Sequence, residues 1–149
     1  MKTIGELLNL SAVVDLKATN KLDALEELCE VISASDKISN KEEFYQTIIE
    51  REKTMSTGIG IGIAIPHVKL ASIKDFVIAI GRKKEGLDFD SLDNKPVYLI
   101  IMIGANDRQN TEYLQLLSKI ASIMKNEAYK KQLISSSSPQ EIYDFFKAR

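Results

Sequence analysis

Residues 97–103 read Val97-Tyr98-Leu99-Ile100-Ile101-Met102-Ile103, an apolar run of strand length. The run is too uniformly apolar to leave one face in water, so it predicts a central strand that is covered on both faces. Residues 76–80 have the same character and predict a second such strand. Between the two, Arg82-Lys83-Lys84-Glu85-Gly86 predicts a polar turn and Asp93-Asn94 another, so this part of the sheet is expected to be antiparallel or mixed.

Two helices are predicted before these strands. A short β-type run at residues 13–16 comes first, and Asn20 then offers a helix cap ahead of an apolar stripe. Asn40 offers a second cap, with Glu43 three residues further on, as in a capping box. This second helix is expected to end near Arg51.

Further helices are predicted after the strands. Residues 113–124 are strongly amphipathic, and Ser138-Pro139-Gln140-Glu141 predicts the start of a final helix in which Ser138 caps and Glu141 completes a capping box. This order of elements predicts an α/β fold, a three-layer sandwich in which a mixed β-sheet of about five strands is flanked by helices on both faces. Residues 1–149 are expected to form a single domain.

Composition and charge exclude several classes of protein. With 149 residues and 44% hydrophobic residues, the chain can bury a core without disulfides, and its one cysteine, Cys29, cannot form an internal disulfide. Twenty basic and 21 acidic residues, without a long block of one sign, disfavour a nucleic-acid-binding or membrane-surface protein. The chain begins without the apolar stretch of a secretion signal and has no segment of membrane-spanning length, so a cytoplasmic protein without direct membrane insertion is expected.

The segment Ser56-Thr57-Gly58-Ile59-Gly60-Ile61-Gly62-Ile63-Ala64-Ile65-Pro66-His67 has an unusual composition. Glycines weaken strand interiors, so Gly58, Gly60 and Gly62 indicate close backbone approach or unusual dihedral angles. Pro66 then restricts the backbone beside His67, the only histidine of the chain. The imidazole is therefore expected at the end of a strand within a stiff local frame.

His67 is a candidate phosphoryl acceptor. A neutral imidazole nitrogen is a good nucleophile near neutral pH, and the resulting phosphoramidate is labile enough to pass the group onward. Such an acceptor needs no metal or cofactor, but it needs donors for three phosphoryl oxygens. Backbone N–H groups at Gly58, Gly60 and Gly62 could supply them, and Ser56, Thr57 and Arg51 could add hydroxyl or guanidinium contacts.

Each of these features alone is a weak signal. A lone histidine is usually structural. The glycine run follows a helix instead of a strand and lacks a Gly-Lys-Ser/Thr ending, which disfavours both a dinucleotide fingerprint and a P-loop. Arg51 alone would suit an exposed residue at a helix end.

In combination, Arg51-Glu52, Ser56-Thr57-Gly58 and Gly62-Ile63-Ala64-Ile65-Pro66-His67 closely resemble the active-site segment of a known family. The family comprises the enzyme IIA components of the bacterial phosphoenolpyruvate-dependent phosphotransferase system, in the fructose, mannitol and nitrogen-regulatory class. The resemblance covers nearly the whole chain, since residues 86–89 with 95–97 are similar to its middle hairpin and residues 114–121 to its long late helix.

The resemblance implies a mixed sheet flanked by helices, with His67 phosphorylated on its tele nitrogen by the phosphocarrier protein HPr or a paralogue. It implies that Arg51 and residues 56–62 line the site. The phosphoryl group would then pass to a IIB component, or the phosphorylated protein would control a regulatory target protein. No cofactor and no metal are implied.

Three positions depart from the family pattern. Many members have a second histidine near the start of the late helix, where this chain has Tyr113, whose phenol can donate a hydrogen bond but cannot share a proton at neutral pH. The structural alternative for Tyr113 is an ordinary half-buried helix residue. Val68 replaces a residue that is usually small, and Ile61 stands where nitrogen-regulatory members often have asparagine, so the subgroup stays open.

The leading hypothesis is a IIA phosphoryl carrier in sugar uptake, and its rival is a IIA-like regulatory phosphoprotein. A hydrolase that uses Ser56 and Asp75 with the histidine is disfavoured because Gly-x-Ser-x-Gly is absent. A zinc enzyme is disfavoured because one histidine and one distant cysteine make a poor ligand set. A non-catalytic binding module predicts no chemistry at His67.

Overall fold

The computed structural model describes residues 3–149, with Ile59 described by its backbone only. Six α-helices and one 3₁₀ turn at Leu10–Ala12 are present in this range; the helices are α1 Ile4–Leu7, α2 Lys21–Ile32, α3 Lys41–Thr54, α4 Asn110–Met124, α5 Glu127–Ser135 and α6 Pro139–Lys147. The six strands are β1 Val13–Asp15, β2 Gly58–Gly60, β3 Ile63–Ala64, β4 His67–Lys69, β5 Val77–Leu87 and β6 Val97–Ala105. No helix in this range is both long enough and apolar enough to span a bilayer.

The strands form one mixed sheet in the order β1-β5-β6-β3-β2, with β4 also paired to β6. β5 and β6 are antiparallel, β1 is parallel to β5, and both β3 and β4 are parallel to β6. Because β3 and β4 follow each other along one edge of β6, the six strands occupy five positions across the sheet. The predicted mixed sheet of about five strands is confirmed.

The central strand β6 is covered on both faces, as its composition predicts. Leu99, Ile101 and Ile103 lie in an apolar cluster with residues of α4, α5 and α6. Ile100 and Met102 lie in a second cluster with residues of α2 and α3. The alternation of a strand thus sends its side chains into two cores, and the predicted three-layer α/β sandwich is confirmed.

The helix starts follow the predicted caps, with two corrections. At α3 the Glu43 carboxylate accepts from the Ser72 hydroxyl and does not complete the predicted capping box, and α6 departs from its predicted box as well. Asn20 Oδ1 accepts a hydrogen bond from the Asp23 amide at 2.9 Å, and Asn40 Oδ1 caps α3 in the same way. α6 begins at Pro139, but the Ser138 side chain makes no cap bond. Glu141 instead accepts hydrogen bonds from the amide and hydroxyl of Ser137, so the predicted box is displaced by one residue.

The predicted polar turn at residues 82–86 is wrong. β5 continues to Leu87 through a register shift between Arg82 and Leu87, and Gly86 has a positive φ of 81°. An irregularity of this kind places extra residues in one strand without ending the pairing. Arg82 is only 1% exposed and pairs with Asp15 of β1, which a turn residue in solvent could not do.

Candidate functional site

A cavity of about 590 Å³ lies where the end of α3, the segment after it, β4 and α4 meet. Its size is within the range of small-molecule and side-chain binding sites. Its lining is mainly apolar, with His67 and a few polar groups at its wall; the lining residues are Arg51, Thr54, Met55, Ser56, Thr57, Ile65, His67, Leu92, Leu117 and Ala121. Four of the eight predicted site residues therefore meet here: His67, Arg51, Ser56 and Thr57.

His67 is the first residue of β4, and its half-buried ring is held by its own backbone segment. Nδ1 lies 2.6 Å from the carbonyl oxygen of Ile65. A carbonyl can only accept, so Nδ1 must be the protonated nitrogen, and in the neutral ring the lone pair is then on Nε2. The arrangement leaves Nε2 as the nucleophilic atom.

Burial lowers the pKa of His67 below its ordinary value of 6.5; the hydrogen bond to Ile65 opposes this effect, and the positive charge of Arg51 adds to it. We expect an NMR titration of the single imidazole to give a pKa below 6.5 and Arg51→Ala to raise that pKa. As the pH falls, the imidazole of the unfolded chain is protonated at a higher pH than that of the folded chain. The contribution of His67 to the free energy of unfolding is therefore fully present above pH 6.5 and is lost as the pH falls from 6.5 through the folded-state pKa. A folded-state pKa above 6.5 would contradict the prediction.

Tyr113, one turn into α4, lies beside the histidine. The two ring centroids are 5.8 Å apart, the tyrosine side chain is buried, and its hydroxyl has no hydrogen-bond partner among the described residues. Burial raises the pKa of Tyr113 to about 12, so the phenol keeps its proton at neutral pH. The resemblance aligns Tyr113 with a second histidine of many family members. In this structure the residue lies next to His67 and is a neutral hydrogen-bond donor.

Arg51 lies within α3. The sequence predicts that this helix ends near Arg51, but it continues to Thr54. The side chain is exposed at the cavity, and the guanidinium forms no hydrogen bond or ion pair with the described residues. Its charge lowers the pKa of both His67 and Tyr113. The five guanidinium N–H groups are therefore available to an anion at His67.

The hydroxyls of Ser56 and Thr57 are already engaged within the protein. Ser56 Oγ donates to the carbonyl of Phe89 at 2.9 Å and accepts from the Gly58 amide at 3.1 Å. The Thr57 hydroxyl donates to Glu52 in a short contact. The structure places both residues at the cavity, but neither hydroxyl is free to turn towards a phosphoryl group without losing a bond.

Gly58, Gly60 and Gly62 are not among the cavity-lining residues. They belong to the hairpin of β2 and β3, in which Gly60 and Gly62 have φ values of 85° and 84°. A Cβ on Gly60 would come within 3.3 Å of Asp93, and the amide of Ile61 donates to the same carboxylate. The turn explains Gly60 and Gly62, and a Cβ on Gly58 would collide with Ser91. The role of the three glycines as phosphoryl donors stays a prediction.

Ile61 sits at the tip of this hairpin with a φ of 56°, a left-handed conformation that costs a β-branched residue about 1–2 kcal/mol. Its side chain is 38% exposed. We expect Ile61→Asn to raise the free energy of unfolding by about 0.5–1 kcal/mol, since asparagine tolerates this conformation and little buried area is lost. Urea unfolding would measure the gain. Ile61→Val, which keeps the branched Cβ, should show none, and an equal gain in both variants would contradict the argument.

Residues that the sequence did not single out complete the site. Met55 and Leu92 are 71% and 77% exposed at the cavity mouth, and Leu117 lines its wall. Leu92 lies in the connection between β5 and β6. No local sequence pattern predicts that this connection lies beside α3. The carboxylate of Glu52, part of the Arg51-Glu52 motif, is buried behind the loop.

The geometry does not support a hydrolase triad. His67 Nδ1 bonds to a backbone carbonyl, and Asp75 Oδ1 accepts from Phe76 and Gln109. Ser56 points its hydroxyl at Phe89. Between residues 3 and 149, no group of three or more histidine, cysteine, aspartate or glutamate side chains could hold a metal ion.

Comparison with known proteins decides the family. The model of the family described as phosphoenolpyruvate-dependent sugar phosphotransferase system, EIIA 2, matches residues 7–149. The chain belongs to this family. As an EIIA protein it is a phosphoryl-transfer component of the phosphotransferase system, and the resemblance found in the sequence is confirmed.

Two relatives show how EIIA sequences occur in longer and shorter proteins. The fructose-specific EIIABC component of Bacillus subtilis is 36% identical over 142 residues, which is 95% of this chain but only 22% of that protein. The chain thus spans about a fifth of this relative. The fructose-specific EIIA component of Haloferax volcanii is 31% identical over 124 residues, covering 83% of this chain and 80% of that protein.

Solved EIIA structures share the fold. The nitrogen regulatory protein IIA-Ntr of Neisseria meningitidis superposes with a TM-score of 0.88 at 32% identity, covering 96% of this chain and 98% of that one. The mannitol enzyme IIA of Escherichia coli, in a complex with phosphorylated enzyme IIB, superposes with a TM-score of 0.78 at 22% identity over 95% of this chain and 98% of that one. The second likeness shows the fold alone.

Proposed function

We propose that the protein carries a phosphoryl group on His67 Nε2, accepting it from phospho-HPr or a paralogous phosphocarrier protein and passing it to a IIB component for sugar uptake. The observation that supports this most directly is the 2.6 Å bond from Nδ1 to Ile65, which leaves the lone pair on Nε2 in a ring that lines the cavity. Membership of the EIIA family and the similarity to fructose-specific relatives support the sugar-uptake role.

The transfer step balances without a metal or cofactor. The phosphorus–nitrogen bond of the donor's phosphohistidine breaks as phosphorus bonds to His67 Nε2, and the electron pair of the broken bond stays on the donor nitrogen. The His67 ring becomes positively charged because Nδ1 keeps its proton, and the Ile65 carbonyl stabilises that charge. Transfer to a cysteine thiolate of the IIB component then regenerates the neutral ring.

The groups proposed to stabilise the phosphoryl oxygens are Arg51 and Tyr113. Arg51 has an unpaired guanidinium at the cavity, suited to a bidentate contact with two oxygens. Tyr113 has a buried, protonated hydroxyl without a partner, which is costly unless a ligand or solvent satisfies it. Phosphoryl transfer depends on positioning and charge stabilisation, which is the contribution that we propose for these two groups.

The mouth of the cavity suits a protein partner. Met55 and Leu92 are far more exposed than apolar side chains usually are, and they stand next to a nucleophile that has to meet another protein's phosphohistidine or thiolate. Exposed apolar side chains that stand together mark protein–protein interaction sites. A free small-molecule phosphate donor would not need this rim.

A regulatory role is the second candidate, and one observation favours it. The nitrogen regulatory protein of Neisseria meningitidis matches 96% of this chain at a TM-score of 0.88. In that role the same chemistry at His67 would change the affinity for a target protein. Neighbouring genes separate the two: genes for IIB and IIC components favour transport, and a sigma-factor or kinase-regulator region favours regulation.

The test is incubation with phosphoenolpyruvate, enzyme I and either HPr or its paralogue, followed by intact-mass measurement. We expect the gain of one phosphoryl group, labile in acid and stable in base, and its loss on addition of a IIB component. Failure with both donors would overturn the carrier function. Charging without discharge to any IIB component would favour the regulatory role.

Arg51→Ala should slow phosphoryl transfer to His67 by about 10²-fold, because the main cation for the developing charge is lost. The fold should be retained, since the side chain is exposed and makes no bond in the described chain. Arg51→Lys should recover part of the rate, as lysine keeps the charge but not the bidentate fork. Rapid-quench measurement of charging gives the rates, and equal rates in all three proteins would remove Arg51 from the site.

A further inference from the structure

The buried carboxylate of Glu52 ties three elements together behind the site. It is on α3 beside Arg51 but points into the protein, and the residue is 8% exposed. Oε1 accepts the Thr57 amide at 2.9 Å and the Thr57 hydroxyl in a short contact, and Oε2 pairs with Lys21 Nζ at 2.8 Å. Both carboxylate oxygens are thus engaged, and the lysine compensates the charge.

A line of hydrogen bonds leads from this carboxylate to the imidazole. Thr57, held by Glu52, accepts the Ile65 amide at its own carbonyl at 3.0 Å. Ile65 in turn accepts His67 Nδ1–H at 2.6 Å. The Ile65 amide and the Ile65 carbonyl belong to two successive peptide groups that share the Ile65 Cα. Thr57 therefore holds the backbone of Ile65 on its amide side, next to the carbonyl that determines the direction and tautomer of the ring.

A second hydrogen bond holds the segment after α3. Ser56 donates to the Phe89 carbonyl at 2.9 Å, and Lys21 Nζ lies 4.8 Å from the centroid of the Phe89 ring. Lys21 therefore contacts both residues that hold the loop, Glu52 and Phe89. The segment from Met55 to Thr57, which lines the cavity, is held between α2, α3 and the connection after β5.

We propose that Glu52 is a positioning residue for His67, acting through Thr57 and Ile65 to hold Nδ1–H on the Ile65 carbonyl and Nε2 in line for transfer. The proposal rests on the proposed function. A carboxylate suits this place because Oε1 accepts from Thr57 while the charge of Oε2 is paired with the Lys21 ammonium. A glutamine would have to turn its NH₂ towards either the Lys21 ammonium or the Thr57 donors, and one contact would be lost.

The test compares Glu52→Gln with Glu50→Gln, an exposed glutamate on the same helix. We expect Glu52→Gln to increase the Nε2–H tautomer of the unphosphorylated ring, seen in ¹⁵N NMR above pH 8. The same variant should lower the charging rate at saturating phosphocarrier by about tenfold to a hundredfold, with little change in KM. Glu50→Gln should change neither quantity.

Thr57→Val keeps the proposal falsifiable if Glu52→Gln does not fold. It removes the hydroxyl bond to Glu52 and should shift the tautomer in the same direction, whereas Thr57→Ser should not. A wild-type tautomer ratio in the folded Glu52→Gln or Thr57→Val protein would overturn the positioning role. Since the tautomer is measured without any phosphoryl donor, this result is independent of whether the carrier function holds.

Discussion

Substituting His67 by glutamine should abolish phosphoryl acceptance, lowering the charging rate by at least about 10⁴-fold. Glutamine is close to histidine in size, and its amide nitrogen takes the place of Nε2. The local backbone is expected to stay in place, while the nucleophilic ring nitrogen and the Nδ1 bond to the Ile65 carbonyl are lost. Tyr113 cannot substitute for it, because a phenol whose pKa is raised to about 12 stays protonated at neutral pH.

Intact-mass measurement after incubation with phosphoenolpyruvate, enzyme I and phosphocarrier protein would show no added phosphoryl group on His67→Gln. The matched control is Tyr113→Phe, which keeps the ring beside the histidine and removes only the unpartnered hydroxyl. That variant should still be charged, though more slowly. An acid-labile phosphoryl group on His67→Gln would place the acceptor at another residue.

Arg82→Ala should be the most destabilising single substitution considered for this fold. The guanidinium, 1% exposed, bonds to both carboxylate oxygens of Asp15 at 2.7 and 3.1 Å. It also donates to the carbonyls of Leu133, Ile134 and Ser136 around the end of α5, the last of these in a short contact. One side chain thus connects β5, β1 and the unpaired carbonyls of a helix end.

Removing this side chain leaves a cavity and unsatisfied carbonyls, which together should cost about 3–5 kcal/mol in the free energy of unfolding. The Asp15 carboxylate is 48% exposed and adds little to this cost, because water can solvate it. For a chain of this length that loss of stability corresponds to a fall in Tm of roughly 10 °C. Thermal and urea unfolding would measure it, with the exposed Lys84→Ala on the same strand as control and Asp15→Asn as an intermediate case. A loss below about 1 kcal/mol would contradict the assigned role of Arg82.

Much of the architecture follows from local patterns in the sequence. The apolar run of β6 has no polar alternation, so burial on both faces is the only arrangement that keeps it from water, and the two clusters on its faces agree with this. Asn20 and Asn40 mark helix starts because capping is a contact between residues three apart. Such signals need no knowledge of distant parts of the chain.

The histidine and its frame could also be predicted, and for the same reason. Pro66 and the bond from His67 to Ile65 lie within three residues of one another. The combined motif from Arg51 to His67 indicated the family before any contact was known. The unusual dihedral angles predicted for the glycine run are confirmed at Gly60 and Gly62, whose positive φ values belong to a hairpin turn. Their role as phosphoryl donors stays a prediction.

What the sequence alone determined is most of the elements and their burial, because those depend on periodicity, capping and nearby residues, and it also predicts the candidate nucleophile. The family resemblance pointed to Tyr113 as a neighbour of His67, and the tertiary structure places their ring centroids 5.8 Å apart. Only the tertiary structure placed Lys21 against Glu52, because the two residues are far apart in sequence. The sequence also predicts Arg82 as a turn residue, and only the tertiary structure shows its partners on β1 and α5. A charged side chain is stable in the interior only where distant groups supply its bonds, and no local pattern specifies which groups those are.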